Sequence, residues 1–228
     1  MNVEIWSDIA CPWCFIGKRR FETALAAFPH RDQVTVTWRS FELDPEAPAE
    51  REGDMAAHLA AKYGTSLEQA HAMHRSMTEV AAAEGLHYDF DAARGGNMLD
   101  AHRLVHLAAA HDRQDAMKER LMRAYLEEGE LVSDHATLER LAAEVGLPAD
   151  EVRETLAGDR YLAEVREDER TAAALGITAV PFFVVDRQFG AAGAQSPEVL
   201  GSLLEQAWEA RSPLSVVTAG DACGIDGC

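Results

Sequence analysis

Cys11-Pro12-Trp13-Cys14 is the stretch whose residue types and spacing could do chemistry. Residues three apart on a helix face the same way, so the two sulfurs can meet. The preceding Val3-Glu4-Ile5-Trp6-Ser7 has the β-branched and aromatic character of a strand. After it, Cys14, Gly17, Phe21, Leu25 and Phe28 recur at helical spacing. The pair is therefore expected in the first turn of a helix that follows a strand. Pro12 fits the first helical position, where its missing N–H costs nothing. Cys11 precedes it, beside the unpaired N–H groups and positive dipole end of the helix, an environment that stabilises a thiolate. Its pKa is expected below the free-cysteine value of ~8.5. Such a dithiol cycles with a disulfide. Half of a zinc site, or a pair of small buried hydrophobes, are the plainer uses of two cysteines. Proline at the first helical position of a strand-to-helix turn argues against both.

The elements that must position this pair follow from the rest of the chain. Its 228 residues and 47% apolar content allow one large domain or two small ones around a real core. A net charge of −18 disfavours nucleic acid and anionic membranes as partners. No apolar run approaches the ~20 residues of a membrane span. The N-terminus enters the Val3–Ser7 strand without a basic or apolar leader pattern, so a cytoplasmic address is expected. In a reducing compartment, four cysteines in two close pairs are catalytic or metal-bound before they are structural.

Val34 to Leu43 reads as a second strand, ended by the prolines of Asp44-Pro45-Glu46-Ala47-Pro48. A strand, a helix and a strand make a right-handed βαβ start with parallel strands. From about Glu50 to Gly176 the chain is Ala-, Leu- and Glu-rich and reads as five or six helices. Thr65-Ser66-Leu67-Glu68 is a capping-box pattern and Asn97 a candidate cap for the helix bearing His102 and His106. Those histidines are four apart, a metal-ligand spacing, but packing or surface roles fit them better. Strand character returns at Val180-Pro181-Phe182-Phe183-Val184-Val185 and at Phe189 to Ala194. Ser196-Pro197 opens a last helix. The expected fold class is α/β.

Asp8-Ile9-Ala10-Cys11-Pro12-Trp13-Cys14, Asn97 with Ala101-His102-Arg103, Ala179-Val180-Pro181-Phe182-Phe183 and Gly193-Ala194-Gln195 resemble the DsbA-like thiol–disulfide oxidoreductases of the FrnE type. These are relatives of the 2-hydroxychromene-2-carboxylate isomerases. The resemblance implies a thioredoxin fold interrupted by a large all-helical insertion. The parts are expected at 1–48 and 171–212 for the thioredoxin-like domain, 49–170 for the insertion, and 213–228 for a flexible tail.

It also implies a cis bond before Pro181, with that loop beside the dithiol and Val180 offering backbone groups to a substrate. Trp13 is expected to line the substrate groove, and Asn97 and Arg103 to face it. Cys11 is the attacking thiol and Cys14 the resolving one. No metal or prosthetic group is implied, only a redox-active disulfide and an external reductant such as a low-molecular-weight thiol or a thioredoxin system. Substrates are disulfide-containing proteins or small thiols. The sequence leaves the oligomeric state open. Strongly oxidising DsbA proteins carry His between the cysteines, and Trp13 cannot supply that charge, so a milder, more reducing couple is expected. The isomerase relatives typically carry Ser at the reactive position, where this chain has Cys11. A glutathione-dependent isomerase or transferase acting on a small aromatic, and a metal-binding or redox-sensing protein using all four cysteines, are the rival readings. For Cys223 and Cys228, three uses compete: inert, metal-binding, or an auxiliary redox pair serving Cys11 and Cys14. The resemblance points to the last.

Overall fold

The structure, a computed structural model, describes residues 1–211. It opens with β1 (Asn2–Ser7), α1 (Pro12–Ala27) and β2 (Thr35–Ser40). Helices α2 (Met55–Tyr63), α3 (Leu67–Ala83), α4 (Leu99–Ala109), α5 (Gln114–Leu126), α6 (His135–Glu144), α7 (Ala149–Ala157) and α8 (Leu162–Ala174) follow without a strand between them. The chain then returns to the sheet with β3 (Phe182–Val185), β4 (Phe189–Ala192) and α9 (Pro197–Glu209). This is a DsbA-like thioredoxin fold with a helical insertion.

The four strands run in the order β2-β1-β3-β4, with β1 parallel to β2 and antiparallel to β3. β1 is central because both of its faces are covered. Val3 and Ile5 point into the main core with α1 and α9, whereas Trp6 packs with Ala172, Ile177 and Val184 on the other side. Such a strand needs apolar residues in both alternating sets. Glu4 is the exception, and Arg39 and Arg187 hold its carboxylate at 2.7 and 2.8 Å.

Several boundaries differ from those read in the sequence. β2 stops at Ser40 because the Leu43 N–H donates to Asp8 Oδ2 at 2.7 Å instead of extending the ladder. The insertion holds seven helices, not five or six, since Gly64 at φ +63° ends α2 before α3 begins. The capping box of α3 pairs Ser66 with Gln69, not Thr65 with Glu68. Asn97 sits one residue before the α4 cap, and its Oδ1 accepts from Leu99 N–H at 2.9 Å.

Candidate active site

Cys11 is the N-cap of α1, with extended backbone (φ −89°, ψ 110°), and Pro12 follows at the first helical position. The Cys14 N–H donates to Cys11 O at 3.0 Å, closing the first turn under the dithiol. The Cys11 side chain makes no capping bond. Its Sγ lies 3.7 Å from Val180 O, the carbonyl immediately before a cis Val180–Pro181 bond. Both cysteines are reduced; Cys14 is fully buried and Cys11 only 4% exposed. The Tyr88 hydroxyl, from the insertion, donates to Pro12 O at 2.7 Å. Burial, then the charges of Cys11 and Cys14, hold that phenol far above its ordinary pKa, so it stays a donor.

Gly17 lets the Pro181 loop come this close. A Cβ at Gly17 would lie 2.9 Å from Pro181 Cγ and 3.5 Å from Phe183 Cζ. Gly193 N–H donates to Pro181 O at 2.8 Å and fixes the loop from its far side. Helix, glycine, proline and sulfur form one packed unit.

Beneath the dithiol lies a buried polar cluster. Asp8 is almost fully buried, and its carboxylate accepts from Leu43 N–H and, at 3.2 Å, from Ala10 N–H. Burial works to raise its pKa, but His102, the Leu43 N–H and Lys118 together keep it below the ordinary value. His102 Nε2 lies 3.4 Å from Asp8 Oδ1 yet out of line for a hydrogen bond, so both ring nitrogens are unpaired. Burial keeps that ring neutral, with its pKa below the ordinary value. Lys118 of α5 donates to Ser7 O at 3.0 Å and is brought down to about 8 by burial.

The Cys11 thiol departs from expectation. The adjoining Cys14 sulfur, burial and the Asp8 charge raise its pKa well above the ordinary value. A helix terminus favours a thiolate only where water or a cation assists it, and here a second sulfur and a carboxylate oppose it. A high thiol pKa weakens the stabilisation of the reduced form that makes a couple oxidising.

A cleft of about 400 Å³ opens between the dithiol and the insertion. Cys11, Pro12, Trp13 and Val180 form one wall. Met55 and Leu59 of α2, Met73 and Met77 of α3, and Phe90 and Met98 form the other. Arg51 and Lys62 bring positive charge to the same cleft, where Arg51 pairs with Asp44, while burial and the Arg51 charge hold the His58 ring below its ordinary pKa. Trp13 is 42% exposed, as its groove-lining expectation requires. Pro181 is buried behind Val180, shaping the wall rather than lining it.

Arg103 and Asn97 are corrections: neither lines the cleft. Arg103 is buried and donates to Arg160 O and Gly158 O at 2.8 and 2.6 Å, tying α4 to the end of α7. The Asn97 amide donates to Pro45 O and Ala47 O, each at 3.2 Å, and pins the loop after β2. His102 and His106 are not a ligand pair, because His106 Nε2 turns to Asp168 Oδ2 at 3.1 Å. Among the described residues, no group of three or more His, Cys, Asp or Glu side chains could hold a metal. No described helix is long and apolar enough to cross a membrane. Cys223 and Cys228 lie outside the described residues.

Sequence reasoning gave Asp8 and Gly17 no role at the site and passed over Tyr88 and Lys118. Lys118 had a legible signal: it occupies the same helical stripe as Leu121, Met122 and Tyr125, all buried.

Comparisons with known proteins agree with this geometry. A probable DsbA oxidoreductase from Streptomyces coelicolor superposes with a TM-score of 0.92 at 50% identity, covering 100% of this chain and 98% of that one. The cytosolic disulfide reductase DsbM from Pseudomonas aeruginosa, solved with GSH, superposes at 0.63 with 19% identity, covering 92% and 100%. A 2-hydroxychromene-2-carboxylate isomerase superposes at 0.66 with 13% identity, covering 92% and 97%. The DSBA-like thioredoxin domain family matches residues 2–205, and the chain belongs to that family.

Proposed function

We propose that this protein is a thiol–disulfide oxidoreductase or isomerase that works through a mixed disulfide on Cys11, resolved by Cys14. The observation that carries this reading is the approach of Cys11 Sγ to Val180 O, 3.7 Å, at the wall of an open cleft. A substrate segment running along that wall meets both the sulfur and the Val180 backbone carbonyl, as in strand addition. Trp13 and the methionines supply an adaptable apolar surface around the reacting sulfur. Substrates are protein disulfides or small thiols, and the reductant is an external thiol system. The cleft lies between the thioredoxin-like parts, 1–48 and 171–212, and the insertion, 49–170. A cytoplasmic address fits the cytosolic setting named for the DsbM neighbour.

The tail pair, Cys223 and Cys228, serves this dithiol as an auxiliary redox pair. His30 stacks on Trp208 at 4.0 Å, so α9 ends beside the end of α1 remote from the dithiol. That helix, with 16 residues, is about 24 Å long. The twelve residues from Arg211 to Cys223 reach about 40 Å when extended, enough to return to the cleft.

A glutathione-dependent isomerase is the second reading, favoured by Arg51 and Lys62 in a cleft sized for a small anionic thiol. Cys14→Ser separates the two. An oxidoreductase loses turnover and accumulates a Cys11 mixed disulfide with substrate, visible by mass. An isomerase keeps turnover and accumulates none, which would overturn the first reading. A metal-binding role would have to recruit Cys223 and Cys228, and metal content of the purified protein tests it.

A further inference from the structure

We infer that the tail segment Leu214-Ser215-Val216-Val217-Thr218 adds to the open edge of β4 as a fifth strand, parallel to β4 and seated over the groove against α9. The segment lies outside the described residues; the surface that receives it and the point where the chain leaves α9 lie within them.

The two edges of the sheet differ. At β2 the Trp38 N–H donates to Gln114 Oε1 and Gln114 Nε2 donates to Trp38 O, both at 3.0 Å, and the Ser40 N–H donates to Asp168 Oδ2 at 2.9 Å. Side chains from α5 and α8 thus fill the positions a further strand would take. Among the described residues, β4 has no such cover. Gly193 N–H donates to Pro181 O, and an antiparallel ladder alternates, so Ala191 and Phe189 bond inward to β3 while Gly190 and Ala192 turn their backbone groups outward. Gln195 Nε2 takes up Ala192 O at 2.7 Å. That leaves the Gly190 N–H and C=O and the Ala192 N–H open, on two exposed residues. Phe189-Gly190-Ala191-Ala192 has no charge, proline or bulge, the devices that blunt an edge.

A groove of about 310 Å³ runs beside this edge, lined by Gly190 and Ala191 and by Val199, Ser202, Leu203 and Gln206 of α9. Val199 is 47% exposed. Phe189 and Ala191 pack on the α9 face of the sheet. A parallel strand that sets Leu214 beside Phe189 and Val216 beside Ala191 therefore points both side chains at the groove, over Val199 and Leu203.

The tail is the occupant because of where it starts. Arg211 Nε lies 3.7 Å from Asp186 Oδ2, in the turn between β3 and β4, so α9 releases the chain at the Phe189 end of the edge. Leu214 follows Arg211 by three residues, a reach of up to about 10 Å. Two valines and a threonine among five uncharged residues have strand character, and Pro213 and Gly220 bound them. A tethered segment acts at roughly millimolar effective concentration, ahead of a second copy of the chain in dilute solution. Running parallel to β4, it ends near Ala192 and Gly193, where the sheet holds the Pro181 loop. Cys223 follows Thr218 by five residues, about 17 Å at full extension. Docking turns the tail back toward the dithiol, and it stands whether or not Cys223 and Cys228 exchange electrons there.

The test is amide hydrogen exchange by NMR on the full-length protein carrying Cys223→Ser and Cys228→Ser, which keeps docking separate from the redox role proposed for that pair. The Gly190 amide should exchange at least about tenfold more slowly than its unprotected rate, and NOEs should join the Leu214 or Val216 methyls to those of Val199 or Leu203. Adding Val216→Pro, which removes a ladder donor beyond the last helix, should abolish both while the exchange of β1 and β3 stays unchanged. An unprotected Gly190 amide with Val216 in place overturns the inference, and so does protection that survives Val216→Pro. If that surviving protection grows with protein concentration, the edge belongs to a second copy of the chain instead.

Discussion

Gly17→Ala puts a single methyl between the helix that carries the dithiol and the loop that faces it. The new Cβ would sit 2.9 Å from Pro181 Cγ and 3.4 Å from Pro181 Cβ. Ordinary carbon contacts lie at about 3.5–4.0 Å, so ring and helix must part by about 0.6 Å or more. Overpacking of this kind costs about 1–3 kcal/mol. Alanine returns about 1 kcal/mol by stiffening a mid-helix position. The net loss is about 0–2 kcal/mol, and for a chain of this size that lowers Tm by at most about 8 °C. Activity should suffer far more. Pro181 sets where Val180 O stands, 3.7 Å from Cys11 Sγ, and misplacement by about 1 Å can cost about 100-fold in rate. Insulin reduction and thermal unfolding, measured side by side, should show at least a tenfold rate loss (roughly, by that scaling) with only a few degrees of melting shift. Gly201→Ala is the control. A Cβ at Gly201, in α9, meets nothing within 4 Å. That variant should gain up to about 1 kcal/mol and keep full activity. Full activity in Gly17→Ala, or a loss only in step with stability, would refute the argument that this glycine sets the Pro181 loop.

Pro181→Ala should likewise reduce insulin reduction more than its melting shift accounts for, and a parallel fall in both would reject the loop's substrate role. In Cys14→Ser the largest influence raising the Cys11 thiol, the Cys14 sulfur, is removed, so Cys11 thiolate absorbance should titrate at lower pH than in the reduced wild type; an unchanged titration would reject the second sulfur as the cause. Glu42 has one carboxylate oxygen unpaired, and burial pushes it up to about 7 against the pull of Arg166 at 2.6 Å. An acid raised in the fold contributes stability that is complete below its unfolded pKa of about 4.5 and is lost as pH rises through about 7. Denaturant unfolding should therefore show wild-type stability falling across this window and Glu42→Gln losing much of the slope. An unchanged slope would show that Glu42 is ionised in the fold. Replacing Cys223 and Cys228 by Ser should slow turnover with a reductant too bulky to enter the cleft; equal rates would leave the tail pair without a role in exchange.

The sequence by itself determined the strand-to-helix placement of Cys11 and Cys14, because proline at the first helical position and an apolar stripe from Cys14 to Phe28 are local signals. It determined the parallel β1–β2 start, since a short crossover helix leaves little choice of topology. It also located Trp13 at the surface of the site. Tertiary structure decided the rest. The approach of Pro181 to Gly17 joins positions far apart in sequence, and nothing in either neighbourhood encodes the 2.9 Å clearance. The Cys11 pKa was misjudged because a helix terminus is legible locally, whereas Asp8, burial and the second sulfur act through space. Arg103 and Asn97 read as site residues by resemblance, yet their partners are carbonyls of segments folded back on α4. Lys118 shows the same division: its place in an apolar stripe was visible, but only the packing of α5 buried its charge with a single hydrogen bond among the described residues, to Ser7 O.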